Sequence, residues 1–224
     1  MFIPSIKETK RFLARADLPP TGVALLAMLL VASASARSAN DHHSLYAAAC
    51  NRNPGLNAYT FRMSVAMAMR HFPWLHFQLS GPGQYVRGQV YSVHLDHMPF
   101  FATNFSTIDL SPLDPNMWSK QYVVRVVGRR TGWTTFALRP KKVDARDGNP
   151  LVQAFATLDA RHSTRTVTMQ YLHGTIQLNI RLEETDGYRL PAGGDVNIDM
   201  PGEALTAHAT FTEYAVQEST VAAR

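Results

Sequence analysis

The chain has 224 residues, 46% of them hydrophobic and 17% charged, with a formal net charge of +5 and a single cysteine. That length suits one well-cored domain plus a leader and excludes two large domains, while one cysteine, Cys50, excludes a disulfide framework and a multi-cysteine zinc site. Lys7, Lys10, Arg11 and Arg15 against Glu8 and Asp17 account for +2 of the charge, and the +3 that remains gives no warrant for nucleic-acid binding.

At the N-terminus, basic residues precede the apolar run Val23 to Val31, and Ala34-Ser35-Ala36 follows it. This is the pattern of a secretory signal peptide over residues 1–36, cleaved near Ala36, and it places the mature chain in the periplasm. The run falls short of the ~20 residues a spanning helix needs, and retention as an anchor is the alternative. Ala47-Ala48-Ala49-Cys50 has a faint likeness to a lipidation site, but polar Asn40 to His43 separates it from the apolar run. The plainer reading of Cys50 is a small apolar residue on a short helix over Asp41 to Asn51, which Asn53-Pro54-Gly55 ends.

Tyr59, Phe61, Met63, Val65, Met67 and Met69 then occupy every second position, with Thr60, Arg62, Ser64, Ala66 and Ala68 between them. A strand sends alternate side chains to opposite faces, so this one has an apolar face and a small or polar face. Three methionines on the apolar face suit contents without a fixed shape. Further strands are expected over Trp74 to Ser80 and Gln84 to Leu95, with Gly81-Pro82-Gly83 as the turn between them. Met98 to Trp118 lacks period two and reads as a loop with short helical turns. From Gln121 to Val216 a succession of strands follows, with turns at Gly128–Gly132, Asp147 to Pro150, His173-Gly174, Asp186-Gly187 and Pro201-Gly202. Ile176, Leu178, Ile180 and Leu182 again share one face. About ten strands with few helices imply a large, strongly curved antiparallel sheet, because a flat one would leave its apolar face wet.

The residues that could carry chemistry do not assemble into a recognisable constellation. His94 and His97 fall on opposite faces of a strand, and His94 with Asp96 gives too few ligands for zinc. There is no Gly-x-Ser-x-Gly elbow and no His-Glu-x-x-His. Glu183 and Glu184 point to opposite faces and cannot act as an acid/base pair. The expectation is therefore no catalytic residue, no metal and no cofactor, although a triad assembled from distant residues leaves no trace in a sequence. Residues 125–146 are locally basic, which suits either solvated turns or loop tips that touch an anionic membrane surface.

From Asn53-Pro54-Gly55-Leu56-Asn57-Ala58-Tyr59-Thr60-Phe61 onward the chain resembles the periplasmic outer-membrane lipoprotein carrier superfamily, the LolA/LolB-like sorting proteins. The likeness continues through Phe72 to Gly81, Tyr122 to Arg125, Phe136 to Lys141, Thr157-Leu158-Asp159 and Ala207 to Tyr214, as a rhythm of strand edges and turns. The resemblance implies an α+β, mainly β fold: a large curved antiparallel sheet, an incomplete β-barrel, with helices and loops over its concave face. It also implies binding of acyl chains of lipids or lipoproteins in an apolar cavity, with inner- or outer-membrane transport components as further partners. The family's lid arginine is not placed on a particular residue of this chain. The expected organisation is a leader over 1–36, a lipid-binding domain over 37–217 and a flexible tail over 218–224. Met63, Val65, Met67, Met69, Tyr91, Val93, Phe101 and Phe105 are the candidate cavity residues, with the loop around Phe101 and Phe105 as a lid. The alternative is a non-enzymatic interaction or structural domain of the cell envelope whose apolar face is covered by its own helix and loops.

Overall fold

The structure is a computed structural model that describes residues 42–71, 74, 76–96, 106–143, 147–201 and 203–218. The chain divides into two compact units, residues 1–44 and residues 45–224. The expected leader, the tail beyond residue 218, Phe101 and Phe105 lie outside the described residues.

Helix α1 covers residues 42–50. The strands that follow are β1 (Leu56–Met69), β2 (His76–Val86), β3 (Val90–His94) and β4 (Thr107–Asp109). A 3-10 turn (Ser111–Leu113) and helix α2 (Pro115–Gln121) then lead into β5 (Tyr122–Arg130) and β6 (Trp133–Pro140). The remainder is β7 (Leu151–Asp159), β8 (Thr164–Tyr171), β9 (Gly174–Thr185), β10 (Tyr188–Met200) and β11 (Glu203–Glu218). All eleven strands form one antiparallel sheet in the order β4-β3-β2-β1-β11-β10-β9-β8-β7-β6-β5. Among the described residues the sheet is not closed, since β4 and β5 are its two edges. The mainly β, incomplete-barrel architecture expected from the sequence is the one found.

Alternation in β1 puts Tyr59, Phe61, Met63 and Val65 in the core, while Thr60 and Ala66 stay exposed. These core side chains join Leu45, Tyr46 and Ala49 of α1 and Trp118 of α2 in one cluster, which identifies the concave face. Helix α2 begins where it does because Asp114 caps it, accepting from the Asn116 N–H, and because Pro115 at its first turn has no N–H to satisfy. Trp118 is fully buried and donates from its indole Nε1 to the Pro112 carbonyl at 2.9 Å.

Two local expectations need correction. Gly81-Pro82-Gly83 is not a turn: β2 runs straight through it, and the chain reverses at residues 87–89. The reason lies in contacts from elsewhere in the chain. A side chain on Gly81 would meet the His94 carbonyl oxygen at 1.8 Å, and one on Gly83 would meet the Phe61 ring at 2.3 Å. Pro82 lies in a gap between Gly83, opposite Val93, and the next bond to β2, from the Asp96 N–H to the Ser80 carbonyl at 2.9 Å, an interruption at which a strand tolerates proline. The stretch read as a loop before Trp118 also contributes β4, which pairs with β3 through Val93 and Ile108.

Candidate functional site

Aromatic side chains fill one end of the concave face. Tyr59 stacks on Tyr85 with ring centroids 4.7 Å apart, Tyr91 stands edge-on to Tyr85 at 5.3 Å, and Phe61 lies 5.4 Å from Phe211. Trp118 and Phe136 meet at 5.6 Å beneath α1. Burial pushes the Tyr91 phenol up to about 12, and it raises Tyr59, Tyr85 and Tyr214 as well. All four hydroxyls are held neutral here, because the hydration a phenolate would lose outweighs the pull of Arg52 on Tyr59, Tyr85 and Tyr91 toward ionisation.

Polar groups tie this end down. Buried Asn53 donates from Nδ2 to the Arg189 carbonyl at 3.0 Å and accepts from the Arg189 N–H at 3.1 Å. The Asn53 carbonyl accepts from Arg87, and Arg189 pairs with Asp159 at 2.9 Å. Arg52, Arg87 and Arg189 border a crevice of only about 10 Å³, too small for an organic ligand. This knot joins the segment after α1 to the turn that follows β2, to β7 and to β10.

The other end of the same face is different. Met69, Leu205, Ile198, Ile176 and Met169 are register partners in sequence across β1, β11, β10, β9 and β8, and each is only half-buried. A second row, Phe77, Met67, Ala207, Val196 and Leu178, runs beside it and is also half-buried. Register partners share a face, so these rows form a continuous apolar floor. Each row crosses four inter-strand spacings of about 4.8 Å, roughly 19 Å in all. Methionine at several positions makes the floor adaptable.

The candidate cavity residues divide between the two ends. Met63, Val65, Tyr91 and Val93 are 2%, 5%, 2% and 1% exposed and pack within the core, whereas Met67 and Met69 stand in the half-buried rows. Ile176, Ile198, Leu205 and Met169 complete the first row and Phe77, Ala207, Val196 and Leu178 the second, and none of these was among the cavity candidates drawn from the sequence. The one-sided alternation of β9 carried the signal for Ile176, but its neighbours depend on register.

Depressions also occur on the outer face. One of about 740 Å³ is floored by Ala66 and Ala68 and walled by residues that include His76, Gln78, Asp195 and His208. There His208 sits between Asp195, at 2.8 Å from Nδ1, and Arg181, at 3.2 Å from Nε2. Another of about 630 Å³ lies at the β5–β6 hairpin. Among the described residues, no group of three or more His, Cys, Asp or Glu side chains could hold a metal ion. Cys50 is half-buried, and burial raises its thiol above the usual range, so it stays a neutral thiol rather than a nucleophile.

No protein-family model matches the chain, and no curated protein matches it. Solved structures do. A LolA superfamily protein from Nitrosomonas europaea superposes with a TM-score of 0.53 at 7% identity, over 79% of this chain and 94% of that one. An outer membrane lipoprotein-sorting protein domain from Vibrio parahaemolyticus gives 0.55 at 9%, over 82% and 95%. A protein from a family of unknown function in Desulfovibrio piger gives 0.52 at 9%, over 80% and 93%. The chain has a LolA-like fold.

Proposed function

We propose that this protein is an exported, periplasmic carrier that binds the acyl chains of a lipid or of an acylated protein on the half-buried end of its concave face. The observation that carries the reading is the pair of apolar cross-strand rows through Met67 and Met69, left partly exposed on the inner side of a sheet whose opposite end is packed solid. Met63, Val65, Tyr91 and Val93 form the closed end against which a chain stops. Binding is passive: each methylene moved from water onto the rows contributes about 0.8 kcal/mol. Lipoprotein sorting, named for the Vibrio domain of the same fold, is the activity this reading brings to the present chain.

At the end of the sheet where the rows lie, Trp74, Val143 and Leu172 are 75%, 58% and 57% exposed, with Lys141 and Lys142 beside Val143. That combination suits transient contact with an anionic bilayer during loading. The competing reading, an envelope interaction domain without a ligand, draws on the outer-face position of the 740 Å³ depression.

The test is native mass spectrometry of the protein purified from a periplasmic host, with solvent extraction of whatever it carries. The expected result is near-stoichiometric phospholipid or acylated peptide, lost in a folded Ile176→Asp variant. A clean apo mass that incubation with lipid or lipopeptide leaves unchanged would favour the interaction domain.

A further inference from the structure

The sheet stops at β5, but the features that make a strand pair do not. Among the described residues no strand lies beyond it, and past Tyr122, whose N–H caps α2 at the Trp118 carbonyl, one side of its backbone ladder from Val123 to Val126 has no strand partner before the register shift between Val126 and Gly128. The opposite edge, β4, is only three residues long. The side chains of β5 are unfinished on both faces. Val124 and Val126 remain half-buried on the concave side, while Val123 and Val127 are 45% and 55% exposed on the outer side. Next to Val127, Trp133 is 46% exposed and borders the outer-face depression at this hairpin. Charge completes the pattern. Strands β5 and β6 carry Arg125, Arg129, Arg130 and Arg139, and no acidic residue occurs between positions 115 and 143.

Edge cations commonly guard a sheet against pairing with itself, and these arginines do oppose a second copy of the same strand. Guarding does not account for apolar side chains left open on both faces beside the charges. Nor does a bilayer use an open ladder, because hydrocarbon offers backbone N–H and C=O groups no partners. An acidic strand satisfies all three features together.

We propose that β5 is a docking edge for an extended acidic segment of a partner protein, which adds as a twelfth strand. Its inner side chains cover Val124 and Val126 and are apolar. Its outer side chains face Val123, Arg125 and Val127 and include a glutamate or aspartate opposite Arg125. Ladder bonds give affinity and the alternating side chains give specificity. This holds whatever the concave face binds.

The probe is a synthetic peptide that alternates valine and glutamate, compared with its lysine counterpart and with a version N-methylated at the amides that would face β5. Amide exchange of the full chain is followed by NMR. At a peptide concentration about ten times Kd, the alternate β5 amides that point away from β6 should exchange roughly tenfold more slowly. Binding should weaken with salt, and it should vanish for the N-methylated and lysine peptides. Arg125→Glu, at an exposed position, should remove binding of the glutamate peptide while leaving the thermal midpoint in place. Equal binding of the N-methylated peptide would overturn the proposal, since attraction without a ladder is only electrostatic. So would capture by anionic vesicles with a blue-shifted Trp133 emission and no response to peptide, which marks a membrane surface. A mass that doubles with concentration would instead identify a second copy as the occupant, and silence toward every probe would leave β5 a guarded edge.

Discussion

Phe61 occupies the space where a side chain on Gly83 would be, and this single contact explains why an apparent turn residue sits inside a strand. Valine there gains β propensity worth up to about 1 kcal/mol but drives its Cβ into the ring, and overpacking of this kind costs about 1–3 kcal/mol. Gly83→Val should therefore lower the urea midpoint, and Phe61→Ala in the same chain should relieve the clash at the expense of the aromatic packing. Asn53 makes the complementary case for a polar side chain. Asn53→Ala strands both backbone groups of Arg189, and the loss should be about 2–4 kcal/mol at one buried site with two bonds. The tyrosines of the closed end set a pH limit. Their folded pKa values are raised, so the unfolded chain gives up its phenolic protons first, near pH 10. Stability should be fully present below about pH 10 and fall above it, by roughly 1.4 kcal/mol per pH unit for each buried tyrosine still protonated in the fold. Denaturant titrations between neutral pH and pH 12 check this, and a flat profile would mean the phenols ionise in place.

Helix α1 is held by Tyr46 as much as by its apolar face. The Tyr46 hydroxyl donates to the Pro115 carbonyl at 2.8 Å and accepts from the Ser119 N–H at 3.0 Å, so one oxygen joins α1 to both turns of α2. Tyr46→Phe keeps the ring against Trp118 and removes only this bridge. It should cost about 1–2 kcal/mol and speed amide exchange in α2 more than in β1. At this scale the sequence speaks clearly in some places and not in others. The alternation from Tyr59 to Met69 and from Ile176 to Leu182 is a property of single strands, and it is visible without neighbours. The two half-buried rows are not. Met69 meets Ile176 only through Leu205 and Ile198, and that alignment depends on the register of β9, β10 and β11, including the shift between Pro191 and Gly193. Gly81-Pro82-Gly83 misleads for the same reason, since local turn chemistry is overruled by Phe61 and the His94 carbonyl.

Across the whole molecule, the sheet is a meander cut in an unusual place. Its edges, β4 and β5, are consecutive in the chain, while the first and last strands, β1 and β11, are hydrogen-bonded neighbours near its middle. Pairing Met63 with Phe211 closes almost the full length of the domain, so its entropic cost falls on the final steps of folding. Val65→Ala, at a buried position of this seam, should cost about 2 kcal/mol and appear almost wholly as faster unfolding, with the folding limb of the chevron unmoved. A slowed folding limb would place the seam in the nucleus instead. The seam has a mechanical side too. Leu56 and Glu218 are register partners on antiparallel strands, so the chain enters and leaves the sheet side by side, at one end of two central strands. Tension applied between those two points loads the ladder a single bond at a time, as a zip is opened, and never shears the row together. The same pairing that completes the sheet thermodynamically is thus where a pull on the chain would tear it first.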